Sequence, residues 1–128
     1  MIVFRLTKKK YPNALEGKGA SLKGGRWNTA GLEVIYTAGN RSLAMAEVAV
    51  HFSIGTLPSD YLIHSIFIPD QLSLERLDTS GLPQNWNIFP YTNSTQAIGD
   101  QFLFEKKHCI LQVPSSVTPG DFNFLINP

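Results

Sequence analysis

Glu47 is the side chain whose surroundings most strongly indicate chemistry. It is the only formally charged residue between Ser42 and Ser59, and its neighbours in LAMAEVAV are almost all apolar. Removing an ionised carboxylate from water costs several kcal/mol unless the group is paired or hydrogen-bonded. Glu47 therefore needs a cationic partner or an opening into a cleft, unless it simply occupies a narrow exposed stripe of its helix. His51 lies one helical turn further on and could share that face, although a structural histidine is the simpler interpretation.

Arg26 and Tyr36 form a second candidate pair, in the stretch GGRWNTAGLEVIYTA. Arg26 directly follows two glycines, which lack a Cβ and let a ligand or another backbone segment approach closely. If GRWN and EVIYTA form two strands around the turn TAG, with Asn28 opposite Val34, then Arg26 lies opposite Tyr36. Their Cβ atoms would be about 5 Å apart on one face of the sheet. That register would present a guanidinium and a phenol to the same space.

The elements that must position these groups indicate an α+β fold. Alternating apolar residues and β-branched content predict five further strands, at IVFRL, YLIHSIFI, LSLERL, HCILQVP and FNFLI. One helix is predicted to begin at Asn40 or Ser42, both good N-cap residues, and to run through LAMAEVAVHF. A second helix is predicted near TQAIGDQFLFEKK. No repeat or long linker divides the chain, so residues 1–128 are predicted to form a single domain.

Composition limits the class of protein. The chain has 128 residues, of which 43% are hydrophobic, and no window reaches the roughly 18 apolar residues of a membrane span. We expect a soluble, cytoplasmic protein without a signal peptide or a membrane partner. Cys109 is the single cysteine and lies in the apolar run CILQV, which favours a buried strand residue over a nucleophile. The three histidines are far apart in sequence, and no metal site is predicted.

The charge distribution is uneven. The formal net charge is +1, which argues against direct binding of nucleic acid, because phosphate neutralisation generally needs a surplus of basic residues. Residues 1–26, however, hold seven lysines and arginines and one glutamate. That surplus suits an anionic ligand or an acidic partner. Lys8, Lys9 and Lys10 are assigned to a solvated loop.

These residues together resemble a known family. Arg26 in GGRWN, Tyr36 in VIYTA, Glu47 in LAMAEVAVH and the serine of VPSSV resemble the RES-domain toxins, which are named for an arginine, a glutamate and a serine. The resemblance covers nearly the whole chain, since Arg5, EGKGASLKGGRWNTAG, the Trp86 loop, TQAIGDQF and NFLINP follow in the family's order. It implies a mixed β-sheet core with a few helices, similar to ADP-ribosyltransferases. It also implies an NAD-consuming toxin whose partner is an antitoxin with an Xre-type helix-turn-helix domain.

The resemblance also implies a role for each site residue. Arg26 and Arg5 would bind the pyrophosphate of NAD, which is the substrate, with no metal involved. Glu47 would stabilise the oxocarbenium-like ribose as nicotinamide leaves. Tyr36 would offer a flat face to the nicotinamide ring, and Ser115 a hydroxyl to the ribose or the amide. From the residues alone, Tyr36 would be assigned to the strand core and Ser115 to a turn.

Other functions stay open at this point. The ADP-ribose could pass to water, to phosphate or to a cellular protein, and the last case would make the chain a mono-ADP-ribosyltransferase. A third possibility, from a different class, is a domain without catalytic activity that works by docking on its partner.

Overall fold

Six strands and three α-helices make up the part of the chain that the computed structural model describes, residues 1–50 and 60–128. The strands are β1 (Ile2–Lys8), β2 (Ile35–Ala38), β3 (Tyr61–Phe67), β4 (Leu74–Arg76), β5 (Ile110–Pro114) and β6 (Phe122–Ile126). The helices are α1 (Lys18–Lys23), α2 (Arg41–Ala49) and α3 (Asn93–Glu105), and Thr79–Gly81 forms one short 3-10 turn. Within the described ranges, no helix is long and apolar enough to cross a bilayer.

All six strands join one mixed sheet, in the order β3-β1-β2-β6-β5-β4. β4 and β5 pair in parallel, and the other neighbours are antiparallel. β1 pairs with β3 along its whole length, but in the described chain its register with β2 consists of a single pair, Phe4 opposite Ala38. The two halves of the sheet are therefore joined at one point between β1 and β2. The predicted α+β class with a mixed sheet and few helices is confirmed.

The two longer helices pack on the sheet through different residues. In α3 the buried positions Thr95, Gly99, Phe102 and Leu103 recur every three or four residues, which is the spacing of one helix face. Phe102 and Leu103 join the main hydrophobic core, which also contains Trp27, Val34, Leu111, Val113 and Leu125. In α2, Leu43 and Ala44 pack against Ala38 of β2.

The predicted start of α2 is correct. The side-chain oxygen of Asn40 accepts a hydrogen bond from the backbone N–H of Leu43 at 2.8 Å, so Asn40 is the N-cap. The predicted continuation through His51 lies outside the described residues. The five strands predicted outside residues 25–38 are also present, with boundaries shifted by up to two residues.

The prediction of a strand at residues 25–28 is wrong. This segment closes on itself as a tight turn, in which the Gly25 N–H donates to the Asn28 carbonyl at 2.9 Å. Asn28 therefore does not pair with Val34. The Asn28 amide instead donates to the carbonyls of Ala20 and Leu32, both at 3.0 Å, and these bonds hold the turn against α1 and the following loop. The helix α1 itself falls in a segment for which the sequence predicted no element.

The prediction for Cys109 is also wrong, because its side chain is exposed. Cys109 lies just before β5 begins at Ile110, the first residue of that strand to be buried. The apolar run CILQV therefore belongs to the buried strand only from Ile110 onward.

Candidate functional site

A cleft of about 540 Å³ opens where β1 and β2 join, and four of the five predicted site residues line it. These are Arg5 from β1, Arg26 from the tight turn, Tyr36 from β2 and Glu47 from α2. The fifth, Ser115, is not among the described residues of the cleft wall. Further wall residues that the sequence did not single out for the site include Lys23, Phe89, Tyr91, Ser116 and Asn123.

The two glycines before Arg26 are required by the backbone around them. Gly24 has a φ of +76°, in the left-handed region that side chains disfavour. A Cβ at Gly25 would lie 2.7 Å from the hydroxyl oxygen of Tyr36, which is closer than two such atoms can approach. The pair therefore lets the turn form and lets Tyr36 pack directly against it.

Tyr36 locks this turn through its hydroxyl group. The hydroxyl accepts a hydrogen bond from the backbone N–H of Trp27 at 3.1 Å and donates one to Oδ1 of Asn28 at 2.6 Å. Burial raises the pKa of Tyr36, so the group is a neutral phenol that can donate. The predicted register of Arg26 opposite Tyr36 is therefore wrong, because side-chain hydrogen bonds and not strand pairing hold Tyr36 against the turn, but both side chains line the same cleft.

Helix α3 clamps the same turn from the other side. Nε2 of Gln96 donates to the carbonyls of Gly25 and Asn28, both at 3.1 Å. A Cβ at Gly99 would lie 1.7 Å from the carbonyl oxygen of Trp27, so the helix backbone can approach the turn only because residue 99 is a glycine. These supporting residues lie in TQAIGDQF, a stretch that the sequence assigned to a helix without a role in the site.

Asp100 continues this clamp one residue further along α3. Its carboxylate accepts from the backbone N–H of Thr29 at 2.8 Å and from the Thr29 hydroxyl at 2.5 Å. Thr29 directly follows the turn, so α3 fixes both the turn and its exit.

Arg26 is held by neutral groups. Its side chain is 9% exposed, and Nη1 donates to the carbonyl of Trp86 at 2.7 Å. The guanidinium carbon lies 4.7 Å from the ring centre of Phe89 and 6.0 Å from that of Tyr91. Burial lowers the pKa of Arg26, which nevertheless stays charged at neutral pH. Arg26 forms no ion pair with a carboxylate in the described parts of the chain, so a buried positive charge faces the cleft.

Arg5 adds a second cation and is also tied to the backbone. Its Nη1 donates to the carbonyls of Ala14 and Glu16, at 2.7 and 2.9 Å. Burial lowers the pKa of Arg5, and the charge of Glu16 opposes that shift. Lys23 at the end of α1 also lines the cleft. Three basic side chains thus share this wall, which suits an anionic ligand.

Glu47 faces the cleft from α2, which is one of the alternatives that its isolation in the sequence left open, and its partner is an amide. Nδ2 of Asn123 donates to Oε1 of Glu47 at 2.5 Å. Burial raises the pKa of Glu47 to about 7, against the opposing effect of that hydrogen bond. The carboxylate can therefore change its charge near neutral pH.

Ser115 organises a turn beside the cleft. It is buried, and its Oγ accepts from the backbone N–H groups of Val117 and Thr118, both at 3.0 Å. The neighbouring Ser116 lines the cleft wall. A ligand contact of Ser115 stays a prediction.

Comparisons with known proteins agree with this architecture. The sequence matches the RES domain family over residues 2–128. It is 41% identical to a Toxin Res of Photorhabdus laumondii, with 100% of this chain and 82% of that protein covered. It is 36% identical to a Prs ADP-ribosylating toxin of a Sphingobium species, with 89% of this chain and 72% of that protein covered.

A solved structure is also similar. It is the crystal structure of the M. tuberculosis MbcT-MbcA toxin-antitoxin complex, one chain of which superposes with a TM-score of 0.79 at 25% identity. The match covers 98% of this chain and 72% of the other. The chain therefore belongs to the RES domain family.

Proposed function

We propose that this protein is the toxin of a toxin–antitoxin system and that it consumes NAD by breaking the bond between nicotinamide and ribose. The toxin assignment is supported by family membership, by relatives named Toxin Res and by the similarity to a chain of a toxin-antitoxin complex. An Xre-type antitoxin, a cytoplasmic location and the finer chemistry are part of the proposal.

The observation that carries the enzymatic proposal is the cleft that contains both Arg26 and Glu47. A guanidinium has five N–H donors in a planar fork that matches phosphate oxygens. Within the described chain, the Arg26 guanidinium donates one hydrogen bond, from Nη1 to the Trp86 carbonyl. The remaining donors are available for a pyrophosphate, and Arg5 and Lys23 add positive charge to the same wall.

Glu47 supplies the negative charge that stabilises the ribose during bond cleavage. When the bond between ribose and the cationic nicotinamide breaks, nicotinamide departs neutral and positive charge develops on the sugar. A nearby carboxylate stabilises that charge, as in glycoside cleavage. In hydrolysis, water then adds to the ribose carbon and releases a proton, and the products are ADP-ribose and nicotinamide. Because the ionised carboxylate is the useful form, kcat/KM should rise with pH until it passes the pKa of Glu47, about 7.

Tyr36 and Ser115 keep supporting roles in the proposal. The Tyr36 hydroxyl is bonded to the turn, so its contribution to binding would come from the face of its ring along the cleft. The Ser115 hydroxyl is bonded to Val117 and Thr118, so Ser115 would act by shaping the turn that carries Ser116 into the cleft.

Replacement of Glu47 by Gln tests the proposal. The substitution keeps an oxygen that can accept from Asn123 but removes the negative charge, so NAD turnover should fall about a hundredfold or more. Glu75→Gln is the matched control, because Glu75 is exposed on the edge strand β4. Release of nicotinamide from NAD measures the rate. Equal turnover in the Glu47→Gln and wild-type proteins would remove Glu47 from the mechanism.

A second candidate function is transfer of ADP-ribose to a protein. It is favoured by the similarity to the Prs ADP-ribosylating toxin. Incubation with labelled NAD and a cell lysate separates the two reactions, because transfer labels a protein band and degradation yields free ADP-ribose or its phosphate. If neither product forms and the protein binds an antitoxin tightly, the docking function without catalysis is favoured instead.

A further inference from the structure

Asn123 connects the sheet to the carboxylate of Glu47. It lies in β6 opposite Ala38 of β2, and its side chain is 7% exposed. The Nδ2 atom carries two hydrogens and makes two hydrogen bonds. One goes to the backbone carbonyl of Thr37 at 3.1 Å, and the other goes to Oε1 of Glu47 at 2.5 Å.

We infer that Asn123 is a positioning residue, which holds the Glu47 carboxylate in the orientation needed to stabilise the positive charge that develops on the ribose of a pyridine dinucleotide. The inference depends on the proposed function for the reaction itself. The hydrogen bonds on which it is built do not.

The geometry requires an amide at this position. The bond to Thr37 fixes the rotation of the amide, and the second hydrogen then points to Glu47. An aspartate has the same shape but no donor when ionised, and it would place a second negative charge beside the first. Within the described chain, Oε2 of Glu47 accepts no hydrogen bond, so it is the atom left to face the ligand.

The helix does not need Asn123 for its own stability. The Asn40 cap fixes the start of α2, and Leu43 and Ala44 bury its inner face against Ala38. Loss of the Asn123 amide should therefore leave the fold in place, while it releases the Glu47 carboxylate and the Thr37 carbonyl from their shared donor. This separation allows a role in positioning to be distinguished from a general structural role.

The same bond changes the charge state of Glu47. A donor to the ionised carboxylate lowers the pKa of Glu47, and burial raises that pKa to about 7 overall. Without the donor, a smaller fraction of Glu47 would be ionised at neutral pH. The other charged or titratable groups on the described cleft wall are Arg5, Lys23, Arg26, Tyr36 and Tyr91. In α2 itself, the guanidinium of Arg41 lies over the ring of Phe4, at 4.5 Å.

Asn123→Leu is the variant that tests this inference, because leucine is close to asparagine in size and has no donor. Asn127→Leu is the matched control, since Asn127 lies just past the end of β6 and donates its amide to the carbonyl of Leu103, at 3.2 Å. We expect kcat to fall about tenfold to a hundredfold in Asn123→Leu, with a smaller change in KM. The urea transition should keep the wild-type m value, which shows an intact fold, while its midpoint falls because the Thr37 carbonyl and the Glu47 carboxylate lose their donor. The acidic limb of the kcat/KM profile should move to higher pH. Asn127→Leu should change neither kcat nor the pH of the acidic limb.

Two further measurements decide the outcome. The double variant Glu47→Gln/Asn123→Leu should be no slower than Glu47→Gln alone, because the amide acts through the carboxylate. NMR titration of the Glu47 carboxyl should give a higher pKa in Asn123→Leu than in the wild type. This titration needs no turnover, so it tests the inference even if the wild-type protein does not consume NAD. An unchanged Glu47 pKa, or additive losses in the double variant, would overturn the positioning role.

Discussion

Glu47→Gln should make the protein more stable at pH 8 while it lowers NAD turnover. The pKa of Glu47 is raised from 4.5 to about 7 in the folded protein because burial disfavours the charged carboxylate. Between these two values the folded state holds a proton that the unfolded state has released. The free energy of unfolding must therefore fall as the pH rises through this window. This contribution is fully present below pH 4.5 and is lost once the pH passes the folded value.

The magnitude follows from the two pKa values. A rise in the pKa of Glu47 from 4.5 to about 7 means that folding disfavours the charged form relative to the neutral form by about 3 kcal/mol. Glutamine has the shape of the neutral form and can still accept the hydrogen bond of Asn123. The Glu47→Gln variant should therefore match the wild type near pH 4.5 and exceed its stability by up to about 3 kcal/mol above pH 7. With a urea m value of about 2 kcal/mol/M, this difference is about 1.5 M in the midpoint.

Urea denaturation at pH 5 and pH 8 measures this difference. The midpoints should be compared for three proteins: the wild type, Glu47→Gln and the exposed control Glu75→Gln. The comparison requires that the three proteins have equal m values. Glu75→Gln should follow the wild type within about 0.5 kcal/mol at both pH values, as surface substitutions usually do. If the midpoint of Glu47→Gln shows the same pH dependence as the wild type, then Glu47 is not the group that titrates, and burial does not raise its pKa.

Two further substitutions test the support of the site. Gly99→Ala places a Cβ 1.7 Å from the Trp27 carbonyl oxygen and should lower the free energy of unfolding by about 1–3 kcal/mol, whereas Gly19→Ala, at an open position of α1, should not destabilise. Equal urea midpoints for the two variants would contradict the close approach of α3 to the turn. Arg26→Lys keeps the charge but loses the planar fork, so the Kd for ADP-ribose in calorimetry should rise about tenfold or more. Arg41→Lys, which alters an arginine stacked on Phe4, should bind ADP-ribose with the wild-type Kd. An equal Kd in the two variants would show that the planar guanidinium of Arg26 does not contribute to binding.

The strands and the α2 cap could be predicted because their signals are local. The N-cap at Asn40 and the apolar stripe of α2 lie within a few residues of each other, and alternation marks each strand by itself. The turn at residues 25–28 could not be predicted in this way. Its conformation depends on Gln96 and Gly99, which approach it from a helix about 70 residues later in the sequence. Strand propensity in this segment is overridden by contacts that no local pattern contains.

Four residues on the cleft wall were predicted, and its neutral supporting residues were missed. Arg26 and Glu47 are conspicuous because a glycine-flanked arginine and a single carboxylate among apolar residues both require an explanation. Asn123 has no such signature in FNFLI, where an asparagine inside a strand could equally face solvent. Its importance appears only when β6 is paired with β2 and the amide reaches Glu47. Neutral supporting residues are thus the part of a site that sequence reasoning is least able to find.

The electrostatic state of the cleft accounts for the kind of ligand that it should prefer. Among the described residues, neither Arg26 nor Glu47 has an ionic partner, and each is bonded to a neutral group, the Trp86 carbonyl and the Asn123 amide. Burial disfavours the charged form of both. A ligand with a pyrophosphate at one position and a cationic ring at another would offset both costs at once, and its positive ring would favour the ionised carboxylate. NAD has these two charges, and a ligand that has only the pyrophosphate would relieve Arg26 but leave Glu47 with its raised pKa. The cleft would therefore be complementary to NAD, and in the proposed cleavage the positive charge that passes to the ribose as nicotinamide departs would keep Glu47 ionised until water adds.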